Sequence, residues 1–261
     1  MKVRNPAVAG KFYPADRQSL SVLVEKLLKS KKINEKISKL DNIHGLIVPH
    51  AGYEFSGLIA AAGYEKILGK QFHRVVILCP NHSIFLNKIA IDGNESWLTP
   101  LGPVLLDKDA ISKLNYEIFI SSSTSHQLEH AIEVQIPFIQ KILPQFKIVP
   151  LIVGLLDEKA IELAANNLIK LAGPETLFII STDLSHFLTL HEAEKEDAKT
   201  INNIATLNYT GKLNACGANS LKILELMCKQ KKWTPKLIEY TNSGRITNDK
   251  SKVVGYASFW F

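Results

Sequence analysis

The sequence predicts an α/β fold: one domain over residues 1–261, with a mostly parallel central sheet flanked by helices. Three observations predict it. Apolar runs of strand length alternate with segments of helical period. Polar residues capable of chemistry fall directly after those runs. No repeat, low-complexity tract or Pro/Gly/Ser-rich linker divides the chain. Taken in order, Asp16 stands where a helix N-cap belongs. A strand at 45–49 then leads into a helical segment at 57–68, and a second strand follows at 74–80. Asp107 and Asp157 mark two further helix starts, the latter between a strand at 148–153 and a helix at 158–171. A strand at 177–181 precedes helices at 191–207 and 220–227. The runs 236–241 and 252–261 read as two last strands, paired with each other or with a sheet edge.

Composition narrows the function classes. Hydrophobic residues make up 46% and charged residues 21% of 261, as in ordinary globular proteins. The longest apolar runs are strand-sized, far short of the roughly 18 residues a spanning helix needs, so no membrane partner is expected. The first residues lack the apolar core of a signal peptide. Three cysteines without a CxxC pair fit a reducing compartment, and the expected location is cytoplasmic. The net charge of +6 is concentrated in Lys29, Lys31, Lys32, Lys36 and Lys39 and in Lys229, Lys231 and Lys232. These lysine-rich helix ends carry almost no arginine and no interleaved aromatics, so they read as solvated faces and no nucleic-acid partner is expected. Glycine-rich phosphate loops and a GxSxG elbow are absent.

In open α/β sheets ligands bind beyond the carboxyl ends of the strands. Three predicted strands end there in histidine-bearing loops: His50 with Tyr53, Asn81 with His82, and Asp183 with His186. Imidazoles at equivalent topological positions point to a metal or acid–base site. Asp183 lies three residues before His186, placed either to orient an imidazole or to cap a helix. Cys216 precedes the helix at 220–227, where a helix N-terminus lowers a thiol pKa and favours thiolate for metal ligation or attack. Cys79 and Cys228 read as core thiols. The residues His126-Gln127-Leu128-Glu129-His130 match HxxEH, a zinc-peptidase pattern. However, His126 reads as lying before the helix, and Pro137 follows closely. The simpler reading has His130 and Glu133 beginning a helix whose polar end faces the same rim, with Ile132, Ile136, Ile139 and Ile142 or Leu143 buried.

Seven segments in order resemble the Memo family, whose prokaryotic members are also called AmmeMemoRadiSam system protein B. They are PAVAGKFYP at 6–14, PHAGYEFSG at 49–57, PNH at 80–82, EHAIEVQIPF at 129–138, STDLSH at 181–186, CG at 216–217 and YTNSG at 240–244. The resemblance implies a fold similar to the LigB-like class III extradiol dioxygenases, which are non-haem iron enzymes. It places His50, His82 and Cys216 as metal ligands and His186 with Asp183 as an acid–base pair. Tyr53, Asn81, His130 and Glu133 would line or support the pocket. Cysteine in place of the dioxygenase carboxylate favours iron(II) or copper, with zinc also suited, and speaks against ring cleavage. The substrate would be a small molecule or peptide, with AMMECR-type and radical SAM proteins as implied partners. The alternatives are a metal-independent Cys216–His186–Asp183 site and a non-enzymatic peptide-binding module.

Overall fold

The computed structural model of the chain describes residues 2–30, 42–209 and 213–261. The first strand, β1 (Val3–Arg4), is followed by α1 (Arg17–Lys29), which the Asp16 carboxylate caps by accepting the Ser19 N–H at 2.8 Å. Then come β2 (Gly45–Val48), α2 (Tyr53–Tyr64), β3 (Arg74–Pro80), β4 (Ile89–Ile91), β5 (Ser96–Thr99) and β6 (Gly102–Leu105). The middle of the chain forms α3 (Lys108–Ile111), β7 (Phe119–Ser121), α4 (Ser123–Gln127), α5 (Ile136–Ile142), β8 (Lys147–Val153) and α6 (Glu158–Leu168). Asp107 and Asp157 cap α3 and α6 as predicted. The remainder is β9 (Thr176–Ser181), β10 (His186–Leu188), α7 (Leu190–Thr206), α8 (Ala218–Lys231), β11 (Lys236–Asn242), α9 (Ser243–Thr247) and β12 (Val253–Trp260).

The main sheet runs β10-β12-β2-β9-β3-β8-β4-β7, with β11 also paired to β12. Its centre, β2-β9-β3-β8, is parallel, with Val48 opposite Ser181 and Pro80 opposite Val153. These strands are buried on both faces, which explains their near-continuous apolar sequences. The flanks are mixed, because β4 is antiparallel to β8 and β12 is antiparallel to β2, β10 and β11. The two last strands therefore pair both with each other and with the sheet. A small second sheet, β1-β5-β6, packs the start of the chain against the rest.

Three expectations change. The chain does not pass from β9 directly into a helix, so Asp183 is not a helix N-cap. A loop and β10 intervene, and α7 is started by a Thr189–Glu192 capping box. His126 lies inside α4 and is fully buried, whereas Glu129 and His130 lie beyond that helix. Between them and α5 stands a short 3-10 turn at Glu133–Gln135, with Ile132, Ile136, Ile139 and Leu143 buried as predicted. Cys79 and Cys228 are buried, as expected of core thiols. Lys29, Lys229 and Lys231 occupy last helical turns, where cations offset the helix dipole. Lys31, Lys32, Lys36 and Lys39 lie outside the described residues. No described helix is long and apolar enough to cross a membrane.

Candidate metal centre

The carboxyl ends of β2, β3 and β9 lie side by side, so the loops that follow them meet at one rim. His50 follows β2, His82 follows β3, and His130 arrives from the segment before α5. One nitrogen from each of these three rings lies within 4.8 Å of the other two. The ring centroids are 5.2 Å apart for His50 and His82, 5.5 Å for His50 and His130, and 4.7 Å for His82 and His130.

The hydrogen bonds behind the rings fix their orientation. Ser181 Oγ donates to Ala131 O at 2.7 Å and accepts from Gln135 Nε2 at 2.9 Å. A hydroxyl has a single proton, so its remaining contact, 3.0 Å from His50 Nδ1, must be an N–H donated by the histidine. His50 is thereby held as the Nδ1–H tautomer, with the Nε2 lone pair facing the centre. Gln135 is itself fixed, because Nε2 also donates to Pro49 O and Oε1 accepts from Tyr64 Oη. On the other side Glu129, fully buried, takes the Nδ1–H of His82 at 3.0 Å and its backbone N–H at 2.8 Å. The same carboxylate accepts the backbone N–H groups of His130 and Ala131 at 2.8 and 2.9 Å. Carboxylate–imidazole pairing of this kind is how metal-ligating histidines are oriented.

Electrostatics follow from this packing. Burial, reinforced by the neighbouring His82, lowers the His50 pKa to about 3. Burial and the His50 charge lower that of His130 to about 4. Burial also disfavours the charged His82 ring, but the hydrogen bond and charge of Glu129 prevail and raise its pKa. Burial opposes ionisation of Glu129 as well, yet His82 and the Ala131 N–H hold it down at about 2. Two neutral imidazoles and one carboxylate-backed imidazole suit iron(II), copper or zinc, so the donor set fits a metal ion.

The other expected residues divide. Cys216 was expected as the third ligand. Its Sγ lies 3.3 Å from His50 Nε2, beside the cluster that the ring nitrogens of His50, His82 and His130 form. The thiol is not activated by the start of α8. Burial and then the Asp183 charge push its pKa up to about 12. Its neighbouring imidazole is His50 and not His186, contrary to the expected Cys216–His186 pairing. Asp183 is buried, with Oδ1 accepting the His50 backbone N–H at 2.8 Å and Oδ2 3.9 Å from His50 Nε2. Burial raises its pKa to about 6 against those contacts. His186 is half-buried on β10, and its ring makes no hydrogen bond to Asp183.

Glu133 does not support the pocket. It fastens the start of the chain, accepting from Arg4 Nη1 at 2.6 Å, Tyr13 Oη at 2.5 Å and the N–H groups of Ala7 and Val8. Tyr53 is likewise structural, since its hydroxyl donates to Val134 O and its ring packs on Phe138 and Tyr13. Asn81 folds back on its own loop, its amide donating to Ile84 O. The residues sequence reasoning missed are Ser181 and Gln135, which orient His50, and Glu129. HxxEH contained the signal for Glu129, but it suggested a general base on a helix, whereas Glu129 orients His82. His126 points elsewhere, with Nε2 against Ala90 O and its ring edge-on to Trp97.

Fold and centre together define an α/β protein that gathers three imidazoles at the carboxyl ends of its parallel strands. A family model described as "Memo-like protein" matches residues 4–260, and the chain belongs to that family. It is 33% identical to a MEMO1 family protein of Thermoplasma volcanium over 98% of this chain and 97% of that one. A MEMO1 family protein of Methanobrevibacter smithii is also 33% identical, over 98% of each chain. One from Archaeoglobus fulgidus is 32% identical over 99% of each. The solved structure of an uncharacterized protein from Escherichia coli K12 overlaps 83% of this chain and 99% of its own, with a TM-score of 0.49 and 11% identity.

Proposed function

We propose that the protein is a metal-dependent redox protein binding iron(II) or copper, with zinc an alternative occupant, through His50, His82 and His130. One observation carries this reading: the hydrogen bonds of Ser181 and Glu129 fix His50 and His82 so that both turn a ring lone pair towards a common point. Cys216, 3.3 Å from His50 Nε2, is the further donor once its proton is displaced. A bound ion would supply Lewis-acid chemistry and, for iron or copper, electron transfer. Around it, Asp183, whose hold on a proton is strengthened by burial, and His186 at the rim are placed to pass protons between substrate and solvent. The similarity to extradiol dioxygenases that the family implies agrees with histidines at strand ends. A thiol where those enzymes carry a carboxylate favours other redox chemistry over ring cleavage.

The test is elemental analysis of protein purified anaerobically without chelator, beside His50→Ala, His130→Ala and Cys216→Ser. Near-stoichiometric iron or copper in the unaltered protein, lost in His50→Ala, supports the reading. The larger loss between His130→Ala and Cys216→Ser identifies the third ligand. A metal-free protein that also resists reconstitution overturns it.

A further inference from the structure

Beside the histidine centre, sharing Cys216 with it, lies a pocket of about 400 Å³, within the range of small-molecule sites. Its walls are largely apolar, formed by Ile84, Phe85 and Leu86 from the loop after His82 and by Val153 and Leu155 at and after the end of β8, with the Asn81 amide a polar exception. No charged side chain is among its described lining residues. The larger cavity at the amino ends of the strands differs sharply. It is lined by Arg17, Arg74, Lys147, Asp107 and Glu175, and Arg74 and Asp107 there neutralise each other at 2.7 Å.

The remaining side of the small pocket is the first turn of α8, Ala218, Asn219 and Ser220. That turn has no side-chain cap and no acidic residue, because Gly217 occupies the N-cap position. Glycine is required there, since a Cβ would lie 2.7 Å from the Thr182 side chain. The Gly217 N–H is used by Thr182 Oγ1, and the first N–H to find an acceptor inside the helix is that of Leu221. The three amides before it have no partner within the helix. Ser220 adds a separate observation: it is fully buried, and its hydroxyl has no hydrogen-bond partner among the described residues. Buried hydroxyls are rarely left so in native proteins.

We infer that this pocket binds a small apolar acid, with its carboxylate received by the start of α8 and Ser220 and its body lying against Phe85, Leu86 and Val153. Unpaired amides at the positive end of a helix dipole select an anion. The uncharged apolar walls select what the anion is attached to. This goes beyond the metal reading and does not depend on it.

Calorimetric titration of the full chain with phenylacetate and with its neutral analogue phenylacetamide tests the inference, using chelator-treated and metal-loaded protein. Phenylacetate should bind both forms at least tenfold more tightly than the amide. Ala218→Glu places a carboxylate at the first helical position, where acidic residues favour the helix, so it should leave thermal unfolding unchanged and weaken phenylacetate at least tenfold. Ser220→Ala should weaken it several-fold. Equal binding of acid and amide, or no binding to chelator-treated protein, overturns the inference. So does binding to metal-loaded protein alone that survives Ala218→Glu, an outcome that assigns the carboxylate to the metal and leaves the metal reading standing.

Discussion

Glu129→Gln separates the orientation of a ligand from the ligand itself. Four N–H groups converge on the Glu129 carboxylate at 2.8–3.0 Å, three on Oε1 and the His82 backbone N–H on Oε2. A glutamine of the same shape keeps its carbonyl oxygen for the three and turns its NH2 against the His82 N–H, donor to donor. A hydrogen bond to a charged group contributes roughly 1.5–3 kcal/mol, and an orphaned buried N–H costs about 1–3 kcal/mol. Because the two share one side chain, a combined loss of about 3 kcal/mol is expected, lowering Tm by roughly 6–12 °C. Losing the partner that orients a ligating histidine typically weakens metal binding 10–100-fold, about 1.4–2.8 kcal/mol. Thermal unfolding of the metal-free variant and competition against a chromophoric chelator measure the two effects. A folded Glu129→Gln protein with metal affinity within threefold of the unaltered chain would refute the role given to Glu129.

Ser181→Ala removes the acceptor that holds the His50 tautomer and should shift the imidazole 15N resonances towards Nε2–H, with about tenfold weaker metal binding. An unchanged tautomer would show that Ser181 does not set it. Arg4→Ala leaves the buried Glu133 carboxylate without its guanidinium partner at 2.6 Å, and urea denaturation should register about 3–5 kcal/mol of lost stability. A loss below 1 kcal/mol would contradict the ion pair's importance. His50 and His130 bind protons less readily folded than unfolded, with pKa values near 3 and 4 against an ordinary 6.5. Their contribution is therefore intact above pH 6.5 and is lost as pH falls through about 4. Metal-free protein should lose stability across that window, and His50→Ala/His130→Ala should flatten the slope.

Local pattern accounts for most of what the sequence disclosed. The strands β2, β3, β8 and β9 announce themselves because strands buried on both faces must be apolar throughout, and Asp16, Asp107 and Asp157 are legible because a cap acts within three residues. His50 and His82 were found because their positions follow from strand ends alone. The rest depends on contacts between distant segments. Nothing local distinguishes Glu133, which holds Arg4, from Glu129, which holds His82, although the two stand four residues apart. Cys216 looked activated because a helix starts beside it, but the pKa of a buried thiol is set by what encloses it. His130 joins the trio through the packing of its segment against the rim, which no periodicity reveals.

The residues of the centre are far apart along the chain: 166 positions separate Cys216 from His50, 133 separate Asp183 from His50, and 47 separate Glu129 from His82. In a zinc finger, whose ligands are close neighbours, the ion gathers an unfolded chain and its binding free energy is folding free energy. Here closing such long loops is the slow, entropically costly part of folding, and only the packed sheet can complete it. An ion bound at this centre would therefore find no half-built site to capture during synthesis and would join a finished protein. Once there it would stabilise the native state by mass action, about 2.7 kcal/mol with free metal at a hundred times Kd.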